Sequence, residues 1–421
     1  MIQDRSPGKN WAGNYAYRAR RLHRPTTIEQ VQEIVAGAPA VRVLGSRHSF
    51  NDIADSAELV TLEEMPVEVA FDGAANTVSC NAALKYGELV ETLNAEGVAL
   101  HNLASLPHIS VAGAVATATH GSGDANGNLA TAVAGLELVT SEGEVLEAAR
   151  GEPDFDGLVV GLGALGAVTR ITLDVEPAYE VRQRVFEGLS WEALFENFDE
   201  ITSRGYSVSV FTRWGEAAGQ VWVKSRVTDE PERVESDLFG AVPATVDRHP
   251  ILEFDAAPCT PQLGRPGLWS DRLPHFRMGF TPSSGDELQA ESLLPRRYAV
   301  EAIEAVRALA DGIRPILQVS EIRTVAADRL WMSTSYGEEA VGIHFTWKPE
   351  PEAVGEMLVR VEATLAPFGA RPHWGKLFGA DAAEIAPLYE RLPDFVRLVE
   401  RIDPRGAFRN PWLRARVLGE A

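Results

Sequence analysis

A short run of polar residues directly after an apolar stretch is the first feature of this chain that could do chemistry. Val41 and Val43 alternate as in a buried strand, and the chain then reaches Gly45-Ser-Arg-His-Ser49. Such a strand end exposes backbone N–H groups that bind phosphate, and it places the His48 imidazole beside whatever carries that phosphate. The alternative interpretation is a surface turn with a solvent-exposed histidine.

A second unusual stretch, residues 103–123, consists almost entirely of small residues. Its glycines allow the backbone to approach a flat ligand or a diphosphate closely. The alternative is a buried alanine-rich helix. A helix suits residues 111–118, but it does not account for Thr119-His-Gly-Ser-Gly123.

Two apolar strands carry polar residues that could bind a ligand. The first, Leu317–Val325, alternates with period two, so that Glu321 and Arg323 share a face with the apolar residues Leu317, Val319 and Val325. A carboxylate and a guanidinium in such surroundings must pair or meet a polar ligand, because burial of either alone is costly.

In the second strand, residues 341–347, the same alternation leaves His344 and Thr346 together on one face. For each strand alone, the alternative is a surface salt bridge or a solvated face. Two neighbouring strands that each project a polar pair favour a hydrogen-bonding site for a hydroxyl-rich ligand.

Lys376 follows a glycine in an aromatic setting near the C-terminus. A desolvated lysine can stabilise an oxyanion or a reduced anionic ring. The common metal, phosphate and serine-nucleophile motifs are absent from the sequence: there is no H-E-x-x-H, paired C-x-x-C, P-loop or G-x-S-x-G, and the histidines near position 110 lack regular ligand spacing. We therefore predict no metal site.

Gly161-Leu-Gly-Ala-Leu-Gly166 matches the G-x-G-x-x-G fingerprint of dinucleotide-binding folds. That fingerprint opens a helix and is followed by an acidic residue about 20 positions later. Here the glycines lead into residues 167–175, an alternating β-branched run that is closed by Pro177. The motif therefore enters a strand, and we reject a Rossmann fold.

The overall composition limits the classes of function. The chain has 421 residues, enough for two domains, and its net charge of −21 argues against nucleic acid or an anionic membrane as a partner. Cys80 and Cys259 lie far apart, which is typical of a reduced protein without a disulfide framework. Neither an apolar signal core nor a membrane-spanning run is present in the sequence, so we expect a soluble cytoplasmic protein.

The remaining patterns predict an α+β protein with a first domain boundary at Pro177. Thr26 and Glu29 form a predicted capping box for a helix that ends near Gly37. Residues 228–295 are rich in Pro, Gly and Asp and indicate long irregular connections. Further predicted elements are helices at 86–95, 191–201 and 298–310, strands at 59–62, 179–186 and 206–211, and a hairpin of 135–140 with 144–147.

Four motifs together resemble those of the vanillyl-alcohol-oxidase type of FAD flavoprotein: Gly45-Ser-Arg-His-Ser, Thr119-His-Gly-Ser-Gly, Gly161-Leu-Gly-Ala-Leu-Gly-Ala-Val-Thr and Asp403-Pro-x-Gly-x-Phe. Within that superfamily the chain is most similar to the alditol oxidases, which are relatives of the sugar-lactone oxidases. The closer similarity lies in Asn10-Trp-Ala-Gly-Asn, Ala104-Ser-Leu-Pro-His-Ile-Ser-Val-Ala-Gly, Glu321-Ile-Arg-Thr-Val, His344-Phe-Thr-Trp and His373-Trp-Gly-Lys.

The resemblance implies a two-domain α+β fold of the VAO/PCMH type. An FAD-binding domain, residues 1–177, would be completed by a C-terminal segment, residues 371–421, while an α+β substrate domain, residues 178–370, would cover the flavin. His48 would be linked covalently to the flavin 8α-methyl group. Without a cysteine in residues 104–123, a second covalent link of the kind found in some relatives is not expected.

The same resemblance implies which residues hold FAD. Arg47 is a departure, since many relatives have glycine before the histidine, and its side chain could crowd the diphosphate or bind it. The implied FAD-binding residues are Gly45, Ser46, Arg47, His48, Ser49, Ser105, Ser110, Gly113, Thr117, His120, Gly121, Gly166 and Val168.

The implied activity is oxidation of the terminal primary alcohol of alditols such as xylitol and sorbitol to the aldose, with transfer of hydride to FAD and reduction of dioxygen to hydrogen peroxide. Arg323 and Lys376 would stabilise negative charge. The residues that would position the polyol hydroxyls are Glu321, His344, Thr346 and Ser105. Whether Glu321, His344 or Lys376 takes the hydroxyl proton is left open.

The nearest alternative is a gulonolactone- or arabinonolactone-type oxidase or dehydrogenase on the same fold. A more distant alternative is a non-catalytic protein that binds flavin or sugar. The expected partners are a polyol and dioxygen, without nucleic acid or membrane, and the expected oligomeric state is a monomer.

Overall fold

The computed structural model describes residues 7–228, 236–279 and 287–420. Their strands are β1 Arg21–His23, β2 Val41–Val43, β3 Glu58–Val60, β4 Val69–Asp72, β5 Thr77–Asn81, β6 Val98–Ala99, β7 Val133–Val139, β8 Val145–Ala149, β9 Ala167–Asp174, β10 Glu176–Pro177, β11 Glu180–Leu189, β12 Ser207–Thr212, β13 Gly219–Arg226, β14 Val242–Pro243, β15 Gly267–Leu268, β16 Leu288–Pro295, β17 Leu317–Val325, β18 Ala340–Trp347 and β19 Arg371–Pro372. The α-helices are α1 Ile28–Gly37, α2 Tyr86–Ala95, α3 Val111–Ala116, α4 Phe155–Leu158, α5 Trp191–Glu196, α6 Phe198–Thr202, α7 Ala299–Arg307, α8 Ala310–Ile313, α9 Pro351–Leu365, α10 Ala382–Ile385, α11 Leu392–Ile402 and α12 Pro411–Leu413.

The N-terminal part of the chain contains one parallel and one antiparallel sheet. The parallel sheet has the strand order β1-β3-β2, and the antiparallel sheet has the order β4-β5-β9-β7-β8. β7 and β8 form the predicted hairpin, and β9 begins directly after Gly166, as the glycine motif predicted. Ile171 and Leu173 of β9 are buried in one apolar core with residues of α2 and α3.

A nine-stranded antiparallel sheet dominates the middle part of the chain. Its strand order is β14-β11-β13-β12-β17-β18-β16-β19, and β15 pairs with β11. Helices α5, α7 and α9 cover one face, where Trp191, Ile303 and Val354 belong to one apolar core with Ile322 and Phe345. Because successive strand residues point to opposite faces, the polar residues of β16, β17 and β18 lie on the other face.

The C-terminal segment returns to the N-terminal part of the chain. Val41 N donates to Ala407 O over 2.8 Å. The buried guanidinium of Arg42 donates to four carbonyl oxygens, those of Ile53, Leu162, Gly163 and Phe408. Burial lowers the pKa of Arg42 to about 10, so the side chain still carries its charge at neutral pH. One side chain thus joins three stretches that are distant in sequence.

Three predicted helices differ in detail from the structure. The N-cap of α1 is Thr27, whose hydroxyl accepts from Gln30 N, and not Thr26. The helix predicted at 191–201 is interrupted at Asn197, because its side-chain amide donates to Ala193 O and its φ of −129° is not helical. The helix predicted at 298–310 ends earlier, and α8 follows it as a separate turn.

Two expectations about strands were wrong. Residues 228–295 are not irregular throughout, since β16 pairs with β18 over its whole length; within that range, residues 229–235 and 280–286 lie outside the described part of the chain. A β-bulge between Leu317 and Val319 turns Leu317 into the helix-covered core, so that Leu317 does not share the face of Glu321. Within the described ranges, no helix is both long enough and apolar enough to span a bilayer.

Candidate active site

A deep cavity lies between the two parts of the fold. Its volume is about 300 Å³, within the range of ~300–1,000 Å³ that is typical of ligand sites. The loop after β2 and helix α3 line one side, and the polar face of β16, β17 and β18 lines another. Because the lining extends from the loop after β2 to the polar face of the large sheet, a cofactor and a small substrate can lie side by side in the cavity.

The loop after β2 holds His48 in an unusual environment. Its imidazole stacks on Trp11 with the ring centroids 5.3 Å apart, and neither ring nitrogen has a hydrogen-bond partner of ordinary geometry among the described residues. Burial lowers the pKa of His48 to about 4, and His108 and Lys85 add to the effect. The imidazole is therefore neutral at physiological pH, and an unpartnered buried polar group of this kind indicates a ligand-binding or catalytic role.

Arg47, which stands where many relatives have glycine, lies at the sharp turn before His48. Its φ of 64° lies in the left-handed region, which is costly for residues other than glycine. The guanidinium donates to Pro7 O and lies 5.9 Å from the ring centroid of Tyr17. The N-terminal segment thus holds the side chain, while the backbone adopts a conformation for which glycine is the usual residue.

Ser110, at the start of α3, packs tightly against the His48 loop. Ser110 N donates to Ser46 Oγ over 2.8 Å. A Cβ atom at Gly45 would lie 2.6 Å from Ser110 Oγ, and one at Gly113 would lie 2.8 Å from it. A side chain at either position would therefore require the Ser110 hydroxyl to move.

Glu291 on β16 is the centre of a buried charge cluster. Its carboxylate oxygens lie 2.6 Å from Arg323 Nη2 and 2.6 Å from Lys376 Nζ, and 3.3 Å from His120 Nε2. Burial alone would raise the pKa of Glu291, but Arg323, Lys376 and His120 outweigh it and hold the pKa well below its usual range. Burial also lowers the pKa of Lys376, and the charge of Glu291 opposes that shift. The carboxylate therefore keeps two cations in the cavity wall.

Glu321 on β17 forms a second set of charged contacts. Its Oε1 lies 2.8 Å from His275 Nε2, and its Oε2 lies 3.7 Å from Arg323 Nε. Burial raises the pKa of Glu321, but Arg323 and His275 together lower it to far below its usual range. The carboxylate is ionised at neutral pH and can act as a hydrogen-bond acceptor only.

The tautomer of His344 on β18 is fixed from the neighbouring strand. Gln289 Nε2 donates to Glu287 Oε1 over 2.5 Å, so that Gln289 Oε1 is the atom 3.2 Å from His344 Nε2. Because an amide oxygen can only accept, His344 Nε2 carries the hydrogen. Burial, with a contribution from Lys376, lowers the pKa of His344 well below its usual range, so the ring is neutral and Nδ1 is its unprotonated nitrogen.

Most of the site residues predicted from the sequence line this one cavity. They are Gly45, Ser46, Arg47, His48, Ser49, Ser105, Ser110, Gly113, Thr117, His120, Gly166, Glu321, Arg323, His344, Thr346 and Lys376. Gly121 lies outside the lining and permits close packing instead, because a Cβ there would lie 2.5 Å from Leu103 O. Val168, on β9, also lies outside it and packs against two apolar clusters.

Sequence reasoning missed four residues in or directly behind the cavity wall: His275 and Gln289 line the cavity, and Lys224 and Glu291 contact residues that line it. Glu287, Gln289 and Glu291 alternate with apolar residues, and that period of two could have predicted β16 and its polar face. No local pattern marks Lys224 or His275. In the described ranges there is no cluster of three potential metal ligands, and both cysteines are free and buried.

Known proteins resemble this chain along its whole length. Family profiles described as FAD binding domain and D-arabinono-1,4-lactone oxidase match residues 19–149 and 288–416. Alditol oxidase from Streptomyces sp. (strain IKD472 / FERM P-14339) is 47% identical over 410 residues, which cover 96% of this chain and 97% of that protein. The chain belongs to the alditol oxidase family.

More distant matches relate the alditol oxidase family to lactone-oxidising enzymes. L-gulono-1,4-lactone dehydrogenase from Mycobacterium tuberculosis (strain ATCC 25618 / H37Rv) is 27% identical over 432 residues, with 97% of this chain and 98% of that protein covered. Among solved structures, cholesterol oxidase from B. sterolicum has a TM-score of 0.78 at 15% identity and covers 96% of this chain and 95% of its own. The predicted two-domain α+β fold of the VAO/PCMH type is confirmed, and this member of the alditol oxidase family is an FAD-dependent oxidoreductase.

The residues of the cavity fit FAD. Gly45 and Gly113 line the cavity and allow a ligand to approach the backbone closely, and buried His48 presents ring nitrogens that need a partner. The residues suited to hold the cofactor are therefore the His48 loop and the start of α3. Glu321, Arg323 and His344 on the large sheet, with Lys376 on the C-terminal segment, remain available for a substrate.

Proposed function

We propose that this protein oxidises the terminal primary hydroxyl of alditols, such as xylitol and sorbitol, to the aldose, with reduction of dioxygen to hydrogen peroxide. The observation that carries the proposal is the polar set of the cavity wall. Two cations, one ionised carboxylate and one neutral imidazole meet there in otherwise buried surroundings. A substrate with several adjacent hydroxyls matches this mixture of donors and acceptors.

Each side chain has a distinct role in the proposal. The guanidinium of Arg323 and the ammonium of Lys376 donate to the reacting oxygen and stabilise its developing negative charge. Glu321 accepts hydrogen bonds from the other hydroxyls, and Thr346 and Ser105, both in the cavity lining, add further polar contacts. When bound, FAD would supply the acceptor for the two electrons that the polyol loses, with dioxygen as their final acceptor.

We assign the hydroxyl proton to Nδ1 of His344. Glu321 is less suited, because its Oε1 already accepts from His275 and its Oε2 lies beside the cationic Arg323. Lys376 donates to Glu291, so it is better suited to stabilise charge than to accept a proton. His344 is neutral, and the Glu287–Gln289–His344 chain leaves Nδ1 as its unprotonated nitrogen.

We further propose that FAD is attached covalently through His48 and that the protein acts as a cytoplasmic monomer. The neutral, unpartnered imidazole of His48 supports the covalent bond, because attack on the 8α carbon needs an unprotonated ring nitrogen. The two free, buried cysteines support a reducing compartment.

Anaerobic mixing with polyols tests the proposed activity. Xylitol or sorbitol should reduce the bound flavin and form the aldose, and admission of oxygen should then yield an equal amount of hydrogen peroxide. L-Gulono-1,4-lactone is the competing substrate, because residues 288–416 match the profile described as D-arabinono-1,4-lactone oxidase. Faster reduction by the lactone would favour a lactone oxidase or dehydrogenase, and no reduction by either would favour a binding protein.

A further inference from the structure

A buried lysine outside the cavity lining is linked to the cavity by one histidine. Lys224 on β13 is 1% exposed, and its Nζ contacts Leu273 O and His275 Nδ1, the latter over 3.1 Å. On the other side of the ring, His275 Nε2 lies 2.8 Å from Glu321 Oε1. The three side chains form a continuous path, which we call the Lys224–His275–Glu321 relay.

The ring of His275 has little freedom to rotate. It packs edge-on against Phe211 and Trp222, with centroid distances of 5.2 Å and 5.5 Å, and its backbone N donates to Ser105 O over 3.2 Å. A carboxylate only accepts hydrogen bonds, so Nε2 must donate to Glu321, and Nδ1 is then the acceptor for Lys224. Burial, with Lys224 adding to it, lowers the pKa of His275 to about 4, which agrees with a neutral ring in this tautomer.

We propose that Lys224 and His275 are positioning residues that fix Glu321 for recognition of a substrate hydroxyl. Because His275 occupies Oε1 of Glu321, the oxygen that remains to accept from a hydroxyl is Oε2, which lies beside Arg323. This inference rests on the proposed function, since the hydroxyl in question is that of the polyol. It extends the substrate-recognition machinery to a strand that contributes no cavity-lining residue of its own.

The relay also responds to pH. The charged or titratable groups that face Lys224 are Glu321, Arg323, His275 and Cys259. Burial lowers the pKa of Lys224 to about 7, while Glu321 and Cys259 oppose that shift. A neutral amine keeps two N–H groups for the same two contacts, so deprotonation removes the positive charge behind Glu321 but preserves the geometry. Polyol affinity should therefore weaken moderately as the pH rises through about 7.

Steady-state and anaerobic reduction kinetics with xylitol test the relay in the FAD-loaded enzyme. Lys224→Met removes both donors and should raise KM about tenfold, the scale for losing a hydrogen bond in a charged network, with the limiting rate of flavin reduction changed less than about threefold. In Lys224→Gln the side-chain amide can still donate, so KM should lie within about threefold of the wild-type value. Because glutamine does not titrate, KM of this variant should not change near pH 7. An unchanged KM in Lys224→Met, or a loss confined to the limiting rate, would contradict the proposal.

A matched control separates positioning from general loss of a buried polar group. Gln262 is fully buried, and its side-chain amide makes two hydrogen bonds to described residues, both with the backbone of Arg248. Gln262→Leu should leave KM for xylitol and its pH dependence as in wild type. A similar rise in KM in this variant would show that the effect of Lys224→Met is only structural.

Histidine-selective ¹⁵N NMR of the FAD-loaded protein gives a readout that needs no substrate. His275, assigned with His275→Gln, should be the Nε2–H tautomer, should stay unprotonated between pH 6 and 8, and should shift at Nδ1 in Lys224→Met. Protonation of the ring in this pH range, or the Nδ1–H tautomer, would overturn the relay. If no polyol reduces the wild-type flavin, the proposed function fails, whereas this spectrum still decides whether the relay exists.

Discussion

Lys376 Nζ lies 2.6 Å from Oε2 of Glu291, a carboxylate that is itself fully enclosed. The pair joins the C-terminal segment to β16. A lysine in a buried site tends to lose its proton, and this carboxylate counteracts that tendency. The proton state of Lys376 in the active site is therefore set by a residue on a different strand, and this gives the first prediction.

Glu291→Gln should make Lys376 easier to deprotonate. The charge of Glu291 raises the pKa of Lys376 against the effect of burial, so its removal lowers that pKa further. The high-pH decline in the rate of flavin reduction by xylitol should consequently move to lower pH than in wild type. Glu362→Gln is the control, since Glu362 accepts from Gly379 N outside the cavity. Identical pH profiles for wild type and Glu291→Gln would contradict the prediction.

Lys376→Met and Arg323→Met should each lower the rate of anaerobic flavin reduction by about a hundredfold or more, the scale for losing one transition-state donor. FAD content should stay near that of wild type, because the residues suited to hold the cofactor lie at the His48 loop and α3. Stopped-flow absorbance of the flavin gives both the rate of reduction and the FAD content. A variant that is reduced at the wild-type rate removes that residue from the catalytic set.

The flavin should remain with the wild-type protein after acid precipitation, and His48→Ala should release it as free FAD. Since burial lowers the pKa of His48 to about 4, the ring is neutral at pH 6, and attachment to reconstituted apoprotein should be as fast at pH 6 as at pH 8. His23→Ala, which alters a histidine paired with Glu58, is the control. Flavin mass on a peptide without His48, or attachment that slows between pH 8 and pH 6, counts against the assignment.

Gly45→Ala should lower the FAD content of the purified protein, because its new Cβ would lie 2.6 Å from Ser110 Oγ. The double variant Gly45→Ala/Ser110→Ala removes that oxygen and should recover part of the FAD. Gly37→Ala is the control, since a Cβ at Gly37 meets nothing within 4 Å. The ratio of flavin to protein absorbance measures all three variants, and a fully loaded Gly45→Ala protein would refute the steric argument.

Stability should depend on pH through Lys224 in a defined direction. Its folded-state pKa of about 7 lies below the ordinary value of 10.5, so the unfolded chain binds more protons between these limits and the wild type gains stability as the pH rises from 7 towards 10. Lys224→Met lacks this gain. The free energy of unfolding of Lys224→Met relative to wild type should therefore fall by on the order of 3 kcal/mol between pH 7 and pH 10, as measured by urea denaturation. An unchanged difference would mean that Lys224 titrates normally.

The features that could be predicted from the sequence are those that depend on the local alternation of apolar and polar residues. Alternation in β17 and β18 predicted the shared faces of Glu321 with Arg323 and of His344 with Thr346, and the cavity lining contains all four. The β-bulge at Leu317 escaped prediction, because an irregularity in strand pairing leaves no mark in one strand's own sequence. The N-cap of α1 was predicted at Thr26 for a similar reason. Either of two adjacent threonines can cap a helix, and only the path of the backbone selects Thr27.

The features that could not be predicted depend on contacts between distant residues. The role of Glu291 depends on its contacts with Arg323 and Lys376, which are 32 and 85 positions away along the chain. Lys224 and His275 are 51 positions apart, and neither lies in a pattern that distinguishes it from a surface residue. Such partners follow from the pairing order of the nine-stranded sheet, which the sequence does not encode locally.

The buried guanidinium of Arg42 has a consequence for the order of events during protein synthesis. Its carbonyl partners include Phe408, and Gly375 and Lys376 also belong to the cavity wall. A ribosome translating this message has made the His48 loop long before these residues emerge from its exit tunnel. The cavity is complete only after they have folded back, so flavin loading follows translation, and nascent chains arrested before Phe408 should carry no flavin.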